Sequence, residues 1–194
     1  MFRLLLICSA LLTSACNLLP TNGDSENSQS LIIAHRASSG LWHQNSRNAV
    51  EQTIKAFSQG SLKKRIHGIE LDIVLTQDHV PVLSHDPWVH KTLCTKKDGS
   101  PVGHQLIRDI PFHKLSEDYL CGGIIDPEFP NASTKAESIL GFDELLALLE
   151  TAPTLAVYLD IKVEAATTQS AEAYAKAIFQ RWQQAQLPNA HYMA

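Results

Sequence analysis

Apolar positions along the chain follow two rhythms. Leu31-Ile32-Ile33-Ala34 is a continuous apolar run, fit for a short buried strand. Asn45 and Ser46 then offer side chains that cap a helix, and Val50, Ile54 and Phe57 recur behind them at helical spacing. Residues 68–75, GIELDIVL, change period. Ile69, Leu71, Ile73 and Leu75 fall on one face, Glu70, Asp72 and Val74 on the other, which predicts a strand. Pro81 to His85 reads as another short strand. Residues 90–138 are polar, with Gly, Pro and Asn throughout, and read as an irregular insertion. Beyond it, Phe142, Leu145, Leu146 and Leu149 predict a helix and residues 155–161 a strand. Ala171, Tyr174, Ala175, Ile178 and Trp182 predict an amphipathic helix, and His191-Tyr192-Met193 the start of one more strand.

Strand and helix mostly alternate, which favours an α/β fold with a largely parallel sheet. One junction breaks the alternation. Too few residues separate the strands at 68–75 and 81–85 for a parallel crossover, which needs a dozen or more. A tight antiparallel turn at Asp78-His79 is the economical solution, and it sets His85 opposite Asp72.

The first thirty residues follow neither rhythm. Arg3 precedes the apolar run Leu4–Leu12, and Thr13, Ser14 and Ala15 lead to Cys16. Residues 1–15 read as an export signal, too short for a spanning helix. Small residues before a cysteine point to lipidation at Cys16; ordinary signal cleavage with a free thiol is the alternative. Residues 16–30 read as lipid anchor and flexible tether, rich in Asn and Ser, and residues 31–194 as the domain. The expectation is an exported chain, lipid-anchored to a bacterial membrane and facing the periplasm. With Cys8 in the signal and Cys16 in the anchor, Cys94 and Cys121 remain, an even pair in an oxidising compartment. They form a disulfide or stay as two buried thiols. The net charge of −4 speaks against a nucleic-acid binder. The short basic run Lys63-Lys64-Arg65 reads as a helix-end cap or a solvated turn.

Candidate chemistry gathers at strand ends. Glu70 and Asp72 lie two apart on a strand, so both carboxylates share a face. That face is either solvated or holds a hard divalent cation such as Mg²⁺ or Ca²⁺. His35-Arg36 follows the first strand and His85-Asp86 the third. Paired histidines there suit general acid and base work, and Arg36 suits a phosphate oxygen; both histidines could equally be structural. Asp160 and Lys162 share a face at the end of the strand 155–161, either as metal ligand and phosphate-binding ammonium or as a surface ion pair.

Taken in order, His35-Arg36, His43-Gln44-Asn45-Ser46, Glu70-Leu71-Asp72, Thr76-Gln77-Asp78, Pro81-Val82-Leu83-Ser84-His85-Asp86 and Asp160-Ile161-Lys162 resemble the motifs of the glycerophosphodiester phosphodiesterases. The resemblance covers residues 31–194 and is most specific from Gly68 to Asp86. It implies a TIM-barrel-like α/β fold and a divalent cation, Ca²⁺ or Mg²⁺. His35 and His85 would be the acid/base pair, Glu70, Asp72 and Asp160 the metal ligands, and Arg36 and Lys162 the residues that steady the phosphate. The substrate would be a small phosphodiester of lipid metabolism, cleaved to glycerol 3-phosphate and an alcohol. A full barrel needs about 250 residues, so about the first half of one is expected here. Three positions depart from the family pattern: Ala37 stands for Gly, Gln44 for an acid and Asp160 for Glu. Two other readings stay open. One is a related phospholipase D-like enzyme on intact or lyso-lipids, which an exposed apolar rim near Trp42 and Trp88 would favour. The other is an inactive, truncated lipoprotein.

Overall fold

Strand and helix alternate from residue 33 onward. The computed structural model describes residues 31–37, 40–59, 66–163, 168–187 and 190–193. In these, β1 (Ile33–Ala34) leads to α1 (Arg47–Ser58), β2 (Gly68–Leu75), β3 (Pro81–Leu83) and β4 (Cys94–Lys96). Next come α2 (Phe112–Asp118), β5 (Tyr119–Cys121), α3 (Phe142–Leu149), β6 (Ala156–Ile161), α4 (Thr168–Ala185) and β7 (Ala190–Met193). The export signal, the tether with Cys16 and the basic run Lys63-Lys64-Arg65 lie outside the described residues. No helix among the described residues is long and apolar enough to cross a membrane.

The main sheet runs β1-β2-β6-β7, all parallel, so each new parallel strand is added beside the last. Helices lie in every crossover. That sequential winding is the barrel type of α/β architecture, not the doubly wound type with its reversal of strand order. Ile69, Leu71, Ile73, Val157 and Leu159 face the helices and pack with Val50, Ile54, Phe142, Leu145, Leu149, Ile178 and Trp182. Each such side chain taken from water contributes about 1.5–3 kcal/mol before entropy is charged against it. Gly68 is required by closeness: a Cβ there would sit 2.8 Å from the carbonyl oxygen of Ala156 and from the Tyr158 ring. The helix α1 begins at Ser46, whose Oγ accepts from the Ala49 N–H at 3.1 Å.

The strand β2 keeps its period of two, yet all eight of its residues are buried. Helices close one face, and the loops after β1 and β3 close the other. The hairpin also differs from the sequence expectation. The register pairs Ile73 with Leu83 and Leu75 with Pro81, and the Ser84 N–H donates to the Asp72 carbonyl. Ser84, not His85, therefore stands beside Asp72. The shift arises because the turn takes five residues, Thr76 to Val80, instead of two. His79 adopts φ 58°, and the Thr76 hydroxyl donates to the Asp78 carboxylate at 2.6 Å, which holds the wider turn.

The insertion after β3 is not irregular. The strands β4 and β5 pair antiparallel, and Cys94 and Cys121, which face each other in that pair, are disulfide-bonded. Around them Val74, Val82, Val89, Ile107, Ile110, Leu115 and Tyr119 make a second apolar core. Sequence periodicity misses it because its strands are three residues long and its apolar residues come from six separate segments. Asp78 ties this unit to the hairpin. The helix α2 starts at Pro111 with no side-chain cap of its own, and Asp78 Oδ1 accepts from the Phe112 N–H at 2.9 Å. Asp78→Ala should therefore lower stability by about 1 kcal/mol, like the loss of an N-cap, in urea unfolding at neutral pH. A midpoint equal to that of the parent chain would show that α2 needs no such cap.

Candidate active site

The acidic face of β2 is the starting point. Asp72 and Asp160 are direct partners across the parallel pair of β2 and β6, so their carboxylates share one face. Glu70 lies two residues before Asp72 on that face. One carboxylate oxygen from each of Glu70, Asp72 and Asp160 lies within 4.8 Å of the other two. The cluster sits where β1 and β6 end, at the C-terminal side of the parallel strands, the side on which barrel enzymes carry their chemistry.

Asp72 is 1% exposed and fully engaged. Asn45 Nδ2 donates to Asp72 Oδ2 at 2.7 Å, and the Asp72 N–H donates to Asn45 Oδ1 at 3.1 Å. Arg36 Nε stands 3.6 Å from Oδ2, and Lys162 Nζ 3.0 Å from Oδ1. Lys162 also donates to Asp160 Oδ2 at 2.5 Å. For Lys162, burial works against the charge, but the bonds to Asp160 and Asp72 outweigh it and raise its pKa. Arg36 and Lys162 are thus packed against the carboxylates to which they lend charge.

The chain after β1 is bent to serve this cluster. Arg36 and Ala37 both lie in the left-handed region, with φ 47° and 58°. The turn aims the Arg36 N–H at Glu70 Oε2, 2.8 Å away. A left-handed Ala costs about 1–2 kcal/mol, which is why Gly would suit position 37; here the methyl is fully buried. Gln44 accepts from Arg36 Nη1 at 2.6 Å, and its amide lies 3.4 Å from Asp126 Oδ2. An acid at position 44 could take the first contact but would set a second carboxylate against buried Asp126. Asn45, also left-handed at φ 54°, donates its N–H to the Arg36 carbonyl.

Among the described residues, only His35 of the two histidines has a contact with the cluster. His35 is largely exposed, with Nε2 4.0 Å from Glu70 Oε2. His85 follows Ser84 at the end of β3, and its Nδ1 lies 3.1 Å from Asp86 Oδ1. Beside His85 a cavity of about 60 Å³ opens, bordered by His43, Trp88, Leu93 and the disulfide. His43 is held neutral by burial, which lowers its pKa despite Asp126 and Glu137 nearby. Gly122, at φ 82°, makes room for it: a Cβ there would lie 2.9 Å from the His43 ring. Trp42 and Trp88 are both partly buried, Trp42 against the main core and Trp88 in the cavity wall, so they form no exposed rim.

The cluster suits a hard cation. Its donors are carboxylate oxygens alone, gathered from two strands, the set that Mg²⁺ and Ca²⁺ prefer. Burial, with Asp72 and Asp160 as like charges beside it, raises the pKa of Glu70, although the Arg36 N–H and His35 act the other way. Two positions central to this site were given no site role by the sequence, Asn45 and Asp126, while Gln44 was marked there only as standing for an acid. Asn45 had a clear signal, but for helix capping. Nothing local marked Asp126.

Residues 35–190 match the model of the Glycerophosphoryl diester phosphodiesterase family. No curated protein matches the chain. Among solved structures, a Silicibacter pomeroyi protein assigned as a glycerophosphoryl diester phosphodiesterase is similar at TM-score 0.75 and 18% identity, over 86% of this chain and 57% of that one. A phosphodiesterase of Oleispira antarctica, solved with the product sn-glycerol-3-phosphate, is similar at TM-score 0.59 and 23% identity, over 84% and 56%. A glycerophosphodiester phosphodiesterase of Agrobacterium tumefaciens gives TM-score 0.53 and 19% identity, over 85% and 58%. The chain thus spans a little over half the length of each. At these identities the likeness shows the fold, α/β of the TIM-barrel-like kind.

Two measurements bear on this geometry. Asn45→Ala removes one bond to the buried Asp72 carboxylate and one to the Asp72 N–H, and should cost about 1.5–3 kcal/mol in urea unfolding; a loss below about 0.5 kcal/mol would mean that Arg36 and Lys162 hold Asp72 unaided. The raised pKa of Glu70 gives stability that is present below the ordinary glutamate value and lost as pH rises through the folded-state value. Without divalent cation, Tm should therefore fall as pH rises across that window, and Glu70→Gln should flatten the fall. An equal slope in both chains would place the titration elsewhere.

Proposed function

The chain belongs to the glycerophosphoryl diester phosphodiesterase family, and from that premise we propose that it hydrolyses glycerophosphodiesters to glycerol 3-phosphate and an alcohol, using a divalent cation held by Glu70, Asp72 and Asp160. The observation that carries this reading is the meeting of those three carboxylates within 4.8 Å of one another. The product complex of the Oleispira antarctica neighbour supports the substrate class.

Bound there, Ca²⁺ or Mg²⁺ would supply Lewis-acid stabilisation of the phosphoryl oxygens. The chain's own residues do the rest. Arg36 and Lys162 place a guanidinium and an ammonium beside the cluster to bind the phosphate. His35 and His85 divide the proton transfers. One imidazole takes the proton of the attacking hydroxyl, from the neighbouring glycerol carbon or from water, as its oxygen bonds to phosphorus. The other gives a proton to the leaving oxygen as its bond to phosphorus breaks; where the glycerol hydroxyl attacks, water then opens the cyclic phosphate to glycerol 3-phosphate with the two histidine roles exchanged. Asn45 and Gln44 keep Asp72 and Arg36 from shifting. We read Cys16 as a lipid anchor that keeps the domain at the periplasmic face of a membrane, where it would act in phospholipid breakdown. The small residues before Cys16 support that reading, and so does the Cys94–Cys121 disulfide, a bond that persists in oxidising compartments.

The test is release of glycerol 3-phosphate from glycerophosphocholine by the full chain, with Mg²⁺, with Ca²⁺ and with chelator. Release is expected only with a cation. His35→Ala and His85→Ala should each lower kcat at least about a hundredfold with circular dichroism unchanged. A folded chain that releases nothing with either cation would remove this reading.

A further inference from the structure

His85 and a second histidine share one carboxylate. His85 Nδ1 lies 3.1 Å from Asp86 Oδ1, and His90 Nε2 lies 3.5 Å from Asp86 Oδ2. On its far side, His90 Nδ1 lies 2.9 Å from Thr92 Oγ1. Proton positions follow from what each group can do. An ionised carboxylate only accepts, so both nitrogens that face Asp86 carry hydrogens. In a neutral His90 ring the bare nitrogen is then Nδ1, and the Thr92 hydroxyl can donate to it. Asp86 thus meets His85 at one oxygen within hydrogen-bond distance and stands in ion-pair range of His90 at the other.

The backbone makes this arrangement stiff. The Val89 N–H donates to the Gln105 carbonyl, and the Cys94 N–H to the His90 carbonyl at 2.8 Å. Cys94 is itself bonded to Cys121. His90 is thus held in a turn fastened to the second core, while His85, Asp86 and His90 border the same cavity.

We propose that His90 is a positioning residue: with Thr92 fixing its own tautomer, it holds Asp86 so that Asp86 keeps the proton of His85 on Nδ1 and leaves His85 Nε2 for proton transfer. The proposal rests on the reading that His85 transfers a proton in the reaction. A free imidazole prefers to carry its hydrogen on Nε2, so a partner at Nδ1 is what reverses the choice. The Asp86 carboxylate supplies that partner only while its plane is held, and His90 Nε2 stands 3.5 Å from its second oxygen to do so.

The experiment is ¹⁵N-histidine NMR of the full chain, alongside turnover of glycerophosphocholine. In the parent chain His85 should show the Nδ1–H tautomer. His90→Phe and Asp86→Asn should move it towards Nε2–H. His90→Gln, whose amide can still donate to Asp86, should keep much of the parent pattern. In turnover, His90→Phe should lower kcat about tenfold with KM within about twofold. A His85 tautomer unchanged in a folded His90→Phe overturns the proposal, whatever Asp86→Asn does. If His90→Phe does not fold, Asp86→Asn and His90→Gln carry the test. Parent-like turnover by His85→Ala would remove the proton-transfer reading, and the proposal with it, even where the spectra shift.

Discussion

Asp72 is a carboxylate placed where water hardly reaches it. An isolated charge there would be so costly that the group would take up a proton, or the fold would open. The surrounding structure answers that cost. Asn45 donates to one oxygen and also accepts from the Asp72 N–H, Lys162 reaches the other oxygen, and Arg36 stands beside the first. These partners come from the loop before α1, the turn after β1 and the end of β6. One buried charge therefore fixes how three separate segments meet. The positive φ angles at Arg36, Ala37 and Asn45 are local strain accepted so that this convergence can occur.

The same convergence leaves the cluster short of positive charge. Glu70, Asp72 and Asp160 are three acids, and Arg36 and Lys162 bring two countercharges. Burial first, and then the like charges of Asp72 and Asp160, raise the pKa of Glu70. A divalent cation among these three carboxylates would supply the charge that the proposed reaction calls for. Gln44 fits the same accounting of charge. It takes the Arg36 guanidinium with a neutral amide and spares buried Asp126 a like charge.

The insertion after β3 works as a second body of structure beside the first. Its apolar core packs on Val74 and Val82, on the face of β2 that also carries Glu70 and Asp72, and its disulfide closes the wall of the cavity next to His85. Through Asp78 it also depends on the hairpin turn. The second histidine of the site is thus carried between two cores, whereas His35 hangs from a short turn and stays exposed.

The order of elements was legible in the sequence because hydrophobic period is a local property. The helices at 47–58 and 142–149 and the strands at 68–75 and 156–161 need no long-range information to be recognised. The same-face placement of Glu70 with Asp72 was legible too, since the period of a strand is two. The pairing of Asp72 with Asp160 was not: it depends on the register of two strands separated by the whole insertion. The register at His85 was lost by one residue, because the width of a turn hangs on side-chain bonds such as Thr76 to Asp78. Asn45 advertised a helix cap and proved to be the anchor of a buried charge. By itself, then, the sequence determined which segments are strands and helices and which residue types could bind a cation or move a proton. Only the tertiary structure decided which of them meet, because burial and register join residues far apart in the chain, and no local pattern encodes that distance.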